Sequence, residues 1–250
     1  LSYSFHLGND KNKTKKARQS AKNNSSNTTS FSNNAIQNIR GLGKVNHHNL
    51  RKYDNNQELI KTIKGSNDIV KDVKNLYKLE FEKARIEYNN KQTREDRKIK
   101  DYFYKISDDT KHDLACEIII ELGNMHFWEN KSQEEKYKMI EVFTEQVKDL
   151  ETIVPEFKVA NATIHFDESS PHLHIVGIAI GKTTVFTKES LKVIQDKMRE
   201  CCIKSYNNIY NLNEKLKEKQ KGRNQDISSK DMEVFNENKN KLRKNINELK

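Results

Sequence analysis

The sequence predicts an α+β domain, an antiparallel sheet of about five strands with helices mainly on one face. Three observations carry that prediction. Short alternating or apolar runs of strand length are interleaved with stretches of strong helical period. Two of the strand-like runs, 159–165 and 172–180, are separated by six residues, of which 167–171 have the composition of a hairpin turn. The order of elements is strand, helices, strand, helix, strand, strand, helix, which fits an antiparallel sheet better than a regular βαβ repeat.

Each element has its own signature. Tyr3, Phe5 and Leu7 fall on one face of a short first strand. Residues 8–34 are rich in Lys, Asn, Ser and Thr and read as a polar insert, either a solvated loop or a DNA-contacting one. A short helix is expected over 36–42, followed by the polar stretch 45–51. Ile69, Val73, Tyr77, Phe81 and Tyr88 then recur at helical spacing. Residues 91–105 are highly charged and read as a further helix. The apolar run 115–122 is bounded by polar turns and reads as a buried strand.

Ser132 and Glu135 form a capping box, and behind it Tyr137, Ile140, Phe143, Val147 and Leu150 keep helical spacing. Pro155 breaks the chain before the two adjacent strands. Thr187 caps the next helix, whose inner stripe is Leu191, Ile194, Met198, Cys202, Tyr206 and Ile209. Residues 1–210 are therefore expected to form one domain, with the insert at 8–34 inside it. Residues 211–250 are expected to be a charged helical extension, the start of a longer C-terminal region.

Composition narrows the partners. Hydrophobic residues make up 34% of the 250 residues and charged residues 33%, so some segments are expected to lie outside the core. The net charge of +10 attracts polyanions, meaning nucleic acid or an anionic membrane surface, and fits poorly with a peptide or small neutral substrate. No apolar run approaches the roughly 20 residues of a membrane span. The first residues read as free of a secretory leader, and three cysteines, two of them adjacent (Cys201 and Cys202), do not make a disulfide framework. A reducing cytoplasm is the expected setting.

The chemistry lies in His165-Phe166-Asp167-Glu168-Ser169-Ser170-Pro171-His172-Leu173-His174. Residues two apart on a strand share a face, so His172 and His174 project together, and His165 on the neighbouring strand can join them. Three imidazoles form a natural ligand set for a divalent metal with open positions for substrate oxygens. A lone histidine pair on a strand is more often structural; three histidines beside Asp167 and Glu168 across a hairpin are a stronger signal. A cation bound only by neutral imidazoles keeps its charge, which suits a phosphodiester. His112 and His126 lie outside any cluster and read as solvated.

These residues resemble the metal motif of HUH endonucleases, and within them of the MobV (Mob/Pre) plasmid mobilisation relaxases. That motif, His-x-Asp-Glu-x-x-Pro-His-x-His, is matched at His165, Asp167, Glu168, Pro171, His172 and His174. His48-Asn49-Leu50-Arg51 is similar to the family's His-Asn-x-Arg motif, and residues 87–102 with Leu122-Gly123-Asn124 resemble it further. The resemblance runs from the first strand to about Ile180; the insert at 8–34 departs from the shortest members.

The resemblance implies an HUH relaxase-like fold and a site- and strand-specific DNA endonuclease. Such an enzyme nicks one strand at a plasmid or mobile-element transfer origin, stays linked to the 5′ phosphate and later rejoins the ends. It implies His48 as nucleophile, with Tyr53 as the rival, and a divalent metal, manganese or magnesium, on His165, His172 and His174. Arg51 is then a phosphate clamp, because its fork matches phosphate oxygens. Glu168 orients or deprotonates the nucleophile or supports a ligand, a job Asp167 could do instead.

Lys44, Asn49, Arg51, Arg94 and Arg97 are the expected DNA contacts. The partner is single-stranded or hairpin origin DNA, with self-dimerisation through a C-terminal region and no small-molecule cofactor. The setting is a bacterial cytoplasm, with the gene on a plasmid or mobile element. The rivals are a rolling-circle initiator or transposase of the same superfamily, and a non-catalytic DNA-binding protein stabilised by a metal.

Overall fold

A computed structural model describes residues 1–7, 35–53, 57–181 and 186–218. In chain order the elements are β1 (Tyr3–Leu7), β2 (Ala35–Ile36), α1 (Ile39–Asn49), β3 (Ile60–Lys64), α2 (Ile69–Asn90), α3 (Tyr102–Asp108) and β4 (Ala115–Leu122). They continue with α4 (Met125–Trp128), α5 (Gln133–Tyr137), α6 (Met139–Ile153), β5 (Phe157–His165), β6 (His172–Ala179) and α7 (Lys188–Tyr210). The expected α+β class holds. The sheet is antiparallel throughout, in the order β1-β4-β6-β5-β3, with β2 also paired to β4.

Strand alternation divides the sheet into two faces. On one, Ile118, Ile120, Ile164, Leu173 and Ile175 pack against α6 and α7, whose Phe143, Leu150, Met198 and Tyr206 are almost wholly buried. The expected stripes of both helices are therefore the ones buried. Each such side chain contributes about 1.5–3 kcal/mol when removed from water. On the other face Ala115, Val176 and Ile178 meet Leu42 of α1, Ile69, Val73 and Tyr77 of α2, and Phe103 of α3. Helices thus pack on both faces, where the expectation was of helices mainly on one. This second layer reaches Val176; the next two positions on that face of β6 are His174 and His172.

A register shift in β5 between Val159 and Asn161 changes the phase of its alternation, so Phe157 and Val159 before it and Ala162 and Ile164 after it all face the same core. Gly123, after β4, sits at φ +82°, and a Cβ there would lie 2.5 Å from Trp128 Nε1. That leaves room for the buried Trp128 ring, whose indole N–H donates to Leu122 O (2.7 Å).

Four local expectations change. The helix expected over 36–42 starts later, capped by the Asn38 side chain, and continues to Asn49 through His47 and His48. Its buried residues are Leu42, Asn46 and Asn49, so two of its three inward positions are polar and an apolar period does not reveal it. The helix expected over 91–105 is instead a turn followed by α3. The Asn89 side chain donates to Ile99 O (2.9 Å) and accepts from Ile99 N (2.8 Å), pinning the returning chain. Strand β3 was not expected; a register shift between Thr62 and Lys64 breaks its alternation.

Residues 212–218 are not helical. Asn211 ends α7 in the left-handed region (φ 53°), and the chain then pairs with its own start through Lys217 N–H to Leu1 O (2.7 Å). The basic insert at 8–34 and the rest of the expected extension, 219–250, lie outside the described residues. Among the described residues no helix is long and apolar enough to cross a membrane.

Candidate metal centre

The β5–β6 hairpin sets the site. His165 and His172 are direct cross-strand partners, and His174 opposes Thr163. The ring centroids of His165 and His174 are 4.4 Å apart, those of His172 and His174 5.0 Å, and those of His165 and His172 5.1 Å. The three histidines singled out in the sequence are thus brought together. His48, near the end of α1, joins from outside the sheet, 5.5 Å from His174 and 5.8 Å from His165 by ring centroid. His165 and His174 are buried, and His48 is exposed.

Hydrogen bonds fix how each imidazole presents itself. A carbonyl or carboxylate oxygen can only accept, so the ring nitrogen facing it carries the proton. His165 Nε2–H donates to Asn49 O (2.8 Å), and His172 Nδ1–H donates to Ser170 O (3.0 Å). His174 Nδ1–H donates to Glu117 Oε1 (2.8 Å). In the neutral form of each ring the opposite nitrogen keeps its lone pair. Of these, His165 Nδ1 and His174 Nε2 are buried without a partner, and His172 Nε2 is 3.9 Å from Glu168 Oε2.

Burial and the neighbouring His174 push His165 down to about 3, and lower His172 for the same two reasons. Burial, His174 and Arg51 lower His48. Burial alone would raise Glu117, but hydrogen bonds from His174 and Asn49 outweigh it and hold the carboxyl ionised.

Buried imidazole nitrogens without a partner are what a divalent cation binds, so the donor set fits a metal. Two groups have donor atoms all within 4.8 Å of one another: His48, His165 and His174, and His165, Glu168 and His172. His165 belongs to both, and the two together contain all three histidines of the motif.

The loop residues act differently from expectation. Arg51 lies just past α1 at φ 45°, a left-handed conformation that costs a non-glycine residue about 1–2 kcal/mol. Its guanidinium is buried and occupied. Nε binds Asp167 Oδ2 (2.7 Å), and Nη2 binds Asp167 Oδ1 (3.3 Å) and Glu168 Oε1 (2.5 Å). Nη1 donates to His48 O (3.2 Å) and Tyr53 Oη (3.1 Å). The fork expected to clamp phosphate instead ties the His48 segment to the hairpin loop. Asp167, expected to support a ligand, holds Arg51; burial raises its carboxyl, but the bond from Arg51 outweighs this and lowers it. Glu168 is half exposed and stands between Arg51 and His172.

Asn49, expected to contact DNA, is 1% exposed, and its amide donates to Glu117 Oε1 (2.8 Å). Tyr53 is 65% exposed with its hydroxyl on Arg51. Lys44 is exposed on α1. Arg94 is exposed and pairs with Asp96 (2.7 Å), and Arg97 is exposed in the same turn between α2 and α3. Neither is hydrogen-bonded to the histidine cluster among the described residues.

Glu117 is the residue sequence reasoning missed. Its signal was a carboxylate inside the apolar run of β4, four residues before Glu121, whose Oε1 accepts from Ser170 Oγ (2.5 Å). Carboxylates as little exposed as this one (13%) are rare unless paired, and here the partner is a ligand-type histidine.

Fold and site together define a histidine cluster with metal-binding chemistry on one face of an antiparallel sheet. The chain belongs to the plasmid recombination enzyme family (Mob_Pre), whose model matches residues 35–209. Among solved structures it is similar to the relaxase domain of MobM bound to the origin-of-transfer DNA of plasmid pMV158. The manganese-bound crystal form at pH 5.5 is 20% identical with a TM-score of 0.49, covering 77% of this chain and 93% of that one. The manganese-bound form at pH 4.6 is 16% identical with a TM-score of 0.48 over the same shares. The complex with a 26-nucleotide origin is 20% identical with a TM-score of 0.44, covering 76% and 92%. No curated protein matches the chain.

Proposed function

We propose that this chain is a relaxase that nicks one strand of DNA at a plasmid or mobile-element transfer origin. It holds the 5′ phosphate covalently and later rejoins the strand. The observation that carries the reading is the convergence of unpartnered imidazole nitrogens of His165 and His174 beside the exposed His48. Membership of a family of plasmid recombination enzymes supports it, as does a net charge of +10.

His165, His172 and His174 would hold the cation, manganese or magnesium. When bound, it supplies positive charge to a nonbridging phosphate oxygen as charge builds there. His48 is the nucleophile. Its neutral ring nitrogen attacks phosphorus; an N–P bond forms as the P–O3′ bond breaks, and the imidazole proton is balanced by one taken up at the leaving 3′ oxygen. The energy of the phosphodiester is kept in the N–P bond, so the reverse step rejoins the strand. Arg51 positions His48 by binding its carbonyl and helps keep its ring neutral. Glu168, half exposed beside His172, is the general base candidate or a further cation ligand.

Single-stranded or hairpin origin DNA is the partner, gripped in part by the exposed Lys44, Arg94 and Arg97. The setting is a bacterial cytoplasm. Residues 1–210 would be the nuclease unit, and 211–250 a charged extension of it. A rolling-circle initiator or transposase would use the same site chemistry on a different DNA.

A second reading draws on the closeness of His48 to His165 and His174. As a fourth ligand it would close the site, giving a metal-stabilised DNA-binding protein without chemistry. Labelled hairpin oligonucleotides spanning mobilisation origins separate the two. With Mn²⁺ the first reading expects a nick and a protein-linked 5′ fragment, both lost in EDTA. Tight binding with no nick on any origin would favour the second, as would a His48→Ala variant that loses the metal.

A further inference from the structure

We infer that Asn49 is a positioning residue that sets the orientation of both buried metal-ligand histidines from the helix end that carries His48. The inference rests on the reading of His165 and His174 as metal ligands. Asn49 is 1% exposed at the last position of α1. Its backbone carbonyl takes the Nε2 proton of His165 (2.8 Å), which turns His165 Nδ1 toward the site as a free donor. Its side-chain amide donates to Glu117 Oε1 (2.8 Å), the same oxygen that takes the Nδ1 proton of His174 (2.8 Å) and leaves His174 Nε2 free.

One residue therefore reaches both rings, one directly and one through a carboxylate. Partners that hold the far nitrogen of a metal-ligating histidine fix its tautomer and raise its basicity, and losing one weakens metal binding by about 10–100-fold. The arrangement also has a mechanical consequence. His48 and Asn49 are consecutive, so the nucleophile and the ligand set share one rigid connection rather than two loops. A side chain kept only to fill the core would need no donor aimed at a carboxylate, and leucine would serve better in that role.

The test uses Asn49→Ala and the isosteric Asn49→Asp, which replaces the donating amide with an acceptor facing Glu117. Mn²⁺ affinity is measured by calorimetry well below each unfolding temperature. Imidazole tautomers are read by long-range ¹H–¹⁵N NMR on metal-free protein. We expect both variants to stay folded and to bind Mn²⁺ at least about ten-fold more weakly than wild type. Metal-free wild type should show His165 as the Nε2–H form and His174 as the Nδ1–H form. His165 should keep its form in the variants, because the backbone carbonyl survives the substitution, whereas His174 should show a mixture of forms, because the Glu117 carboxylate that takes its proton has lost the amide that anchors it.

Variants that bind Mn²⁺ within two-fold of wild type, or wild-type tautomers opposite to those above, would overturn the inference. If wild type binds no Mn²⁺ that His174→Ala removes, the metal-centre reading fails instead. The tautomers of the metal-free protein still decide whether Asn49 orients the rings.

Discussion

Replacing Arg51 with alanine should uncouple the His48 segment from the hairpin loop. The Arg51 side chain is 5% exposed and the paired Asp167 side chain 20%. Breaking a fully buried ion pair by removing one partner costs about 3–5 kcal/mol. Glu168, 50% exposed, regains water and falls in the range of about 0–1 kcal/mol for a surface pair. Partial solvation of Asp167 pulls the total for Arg51→Ala to roughly 2–3 kcal/mol. Alanine inherits the left-handed φ of 45°, whereas glycine accepts it freely and should recover about 1 kcal/mol. The stability order is therefore wild type, then Arg51→Gly, then Arg51→Ala.

For a domain of this size about 1 kcal/mol moves Tm by roughly 2–4 °C, so Arg51→Ala should melt about 4–12 °C lower. Thermal unfolding of metal-free protein at pH 7.5 reads this directly. Mn²⁺ affinity should be largely kept, since Arg51 is bonded to none of the three motif histidines, while covalent capture of DNA falls. A Tm within a degree of wild type, or a glycine variant less stable than the alanine one, would refute the reasoning.

Other outcomes follow from the same geometry. His165 is held at about 3 when folded against 6.5 ordinarily, a lowered value, so its contribution is present above pH 6.5 and lost as pH falls. Between pH 7.5 and 5 metal-free protein should lose about 2 kcal/mol from this group, and a flat profile in urea titrations would contradict it. Adding Mn²⁺ at about 100 times its Kd should stabilise by about 2.7 kcal/mol, and His174→Ala should abolish that gain in the same melting assay. Gly123→Ala should lose about 1–3 kcal/mol from backbone strain, and more from the 2.5 Å clash with Trp128; an unchanged Tm would show the turn tolerates a Cβ.

Much of this was written in local pattern. The β5–β6 hairpin and its histidines were legible because period-two alternation and a turn between them leave one register in which His165 meets His172. The α6 and α7 stripes were legible because their inward faces are apolar. Helix α1 was legible only in part, since Asn46 and Asn49 point inward to bond Ile69 N–H and Glu117 rather than to bury hydrocarbon. The roles of Arg51 and Glu117 depend on partners 116 and 57 residues distant in sequence, Asp167 and His174, and no local spacing encodes such pairs. A guanidinium that looks ready for phosphate reads the same in sequence whether its fork is free or filled.

Covalent capture of DNA through His48 is settled most directly by mass spectrometry. The protein would be trapped on an origin oligonucleotide with Mn²⁺, digested under mildly alkaline conditions that preserve an N–P bond, and sequenced as nucleotide-bearing peptides. The expected result is one adduct, a 5′-phosphoryl nucleotide on the imidazole of His48, absent from His48→Ala and retained in Tyr53→Phe. An adduct on Tyr53, or one that persists in His48→Ala, would contradict it.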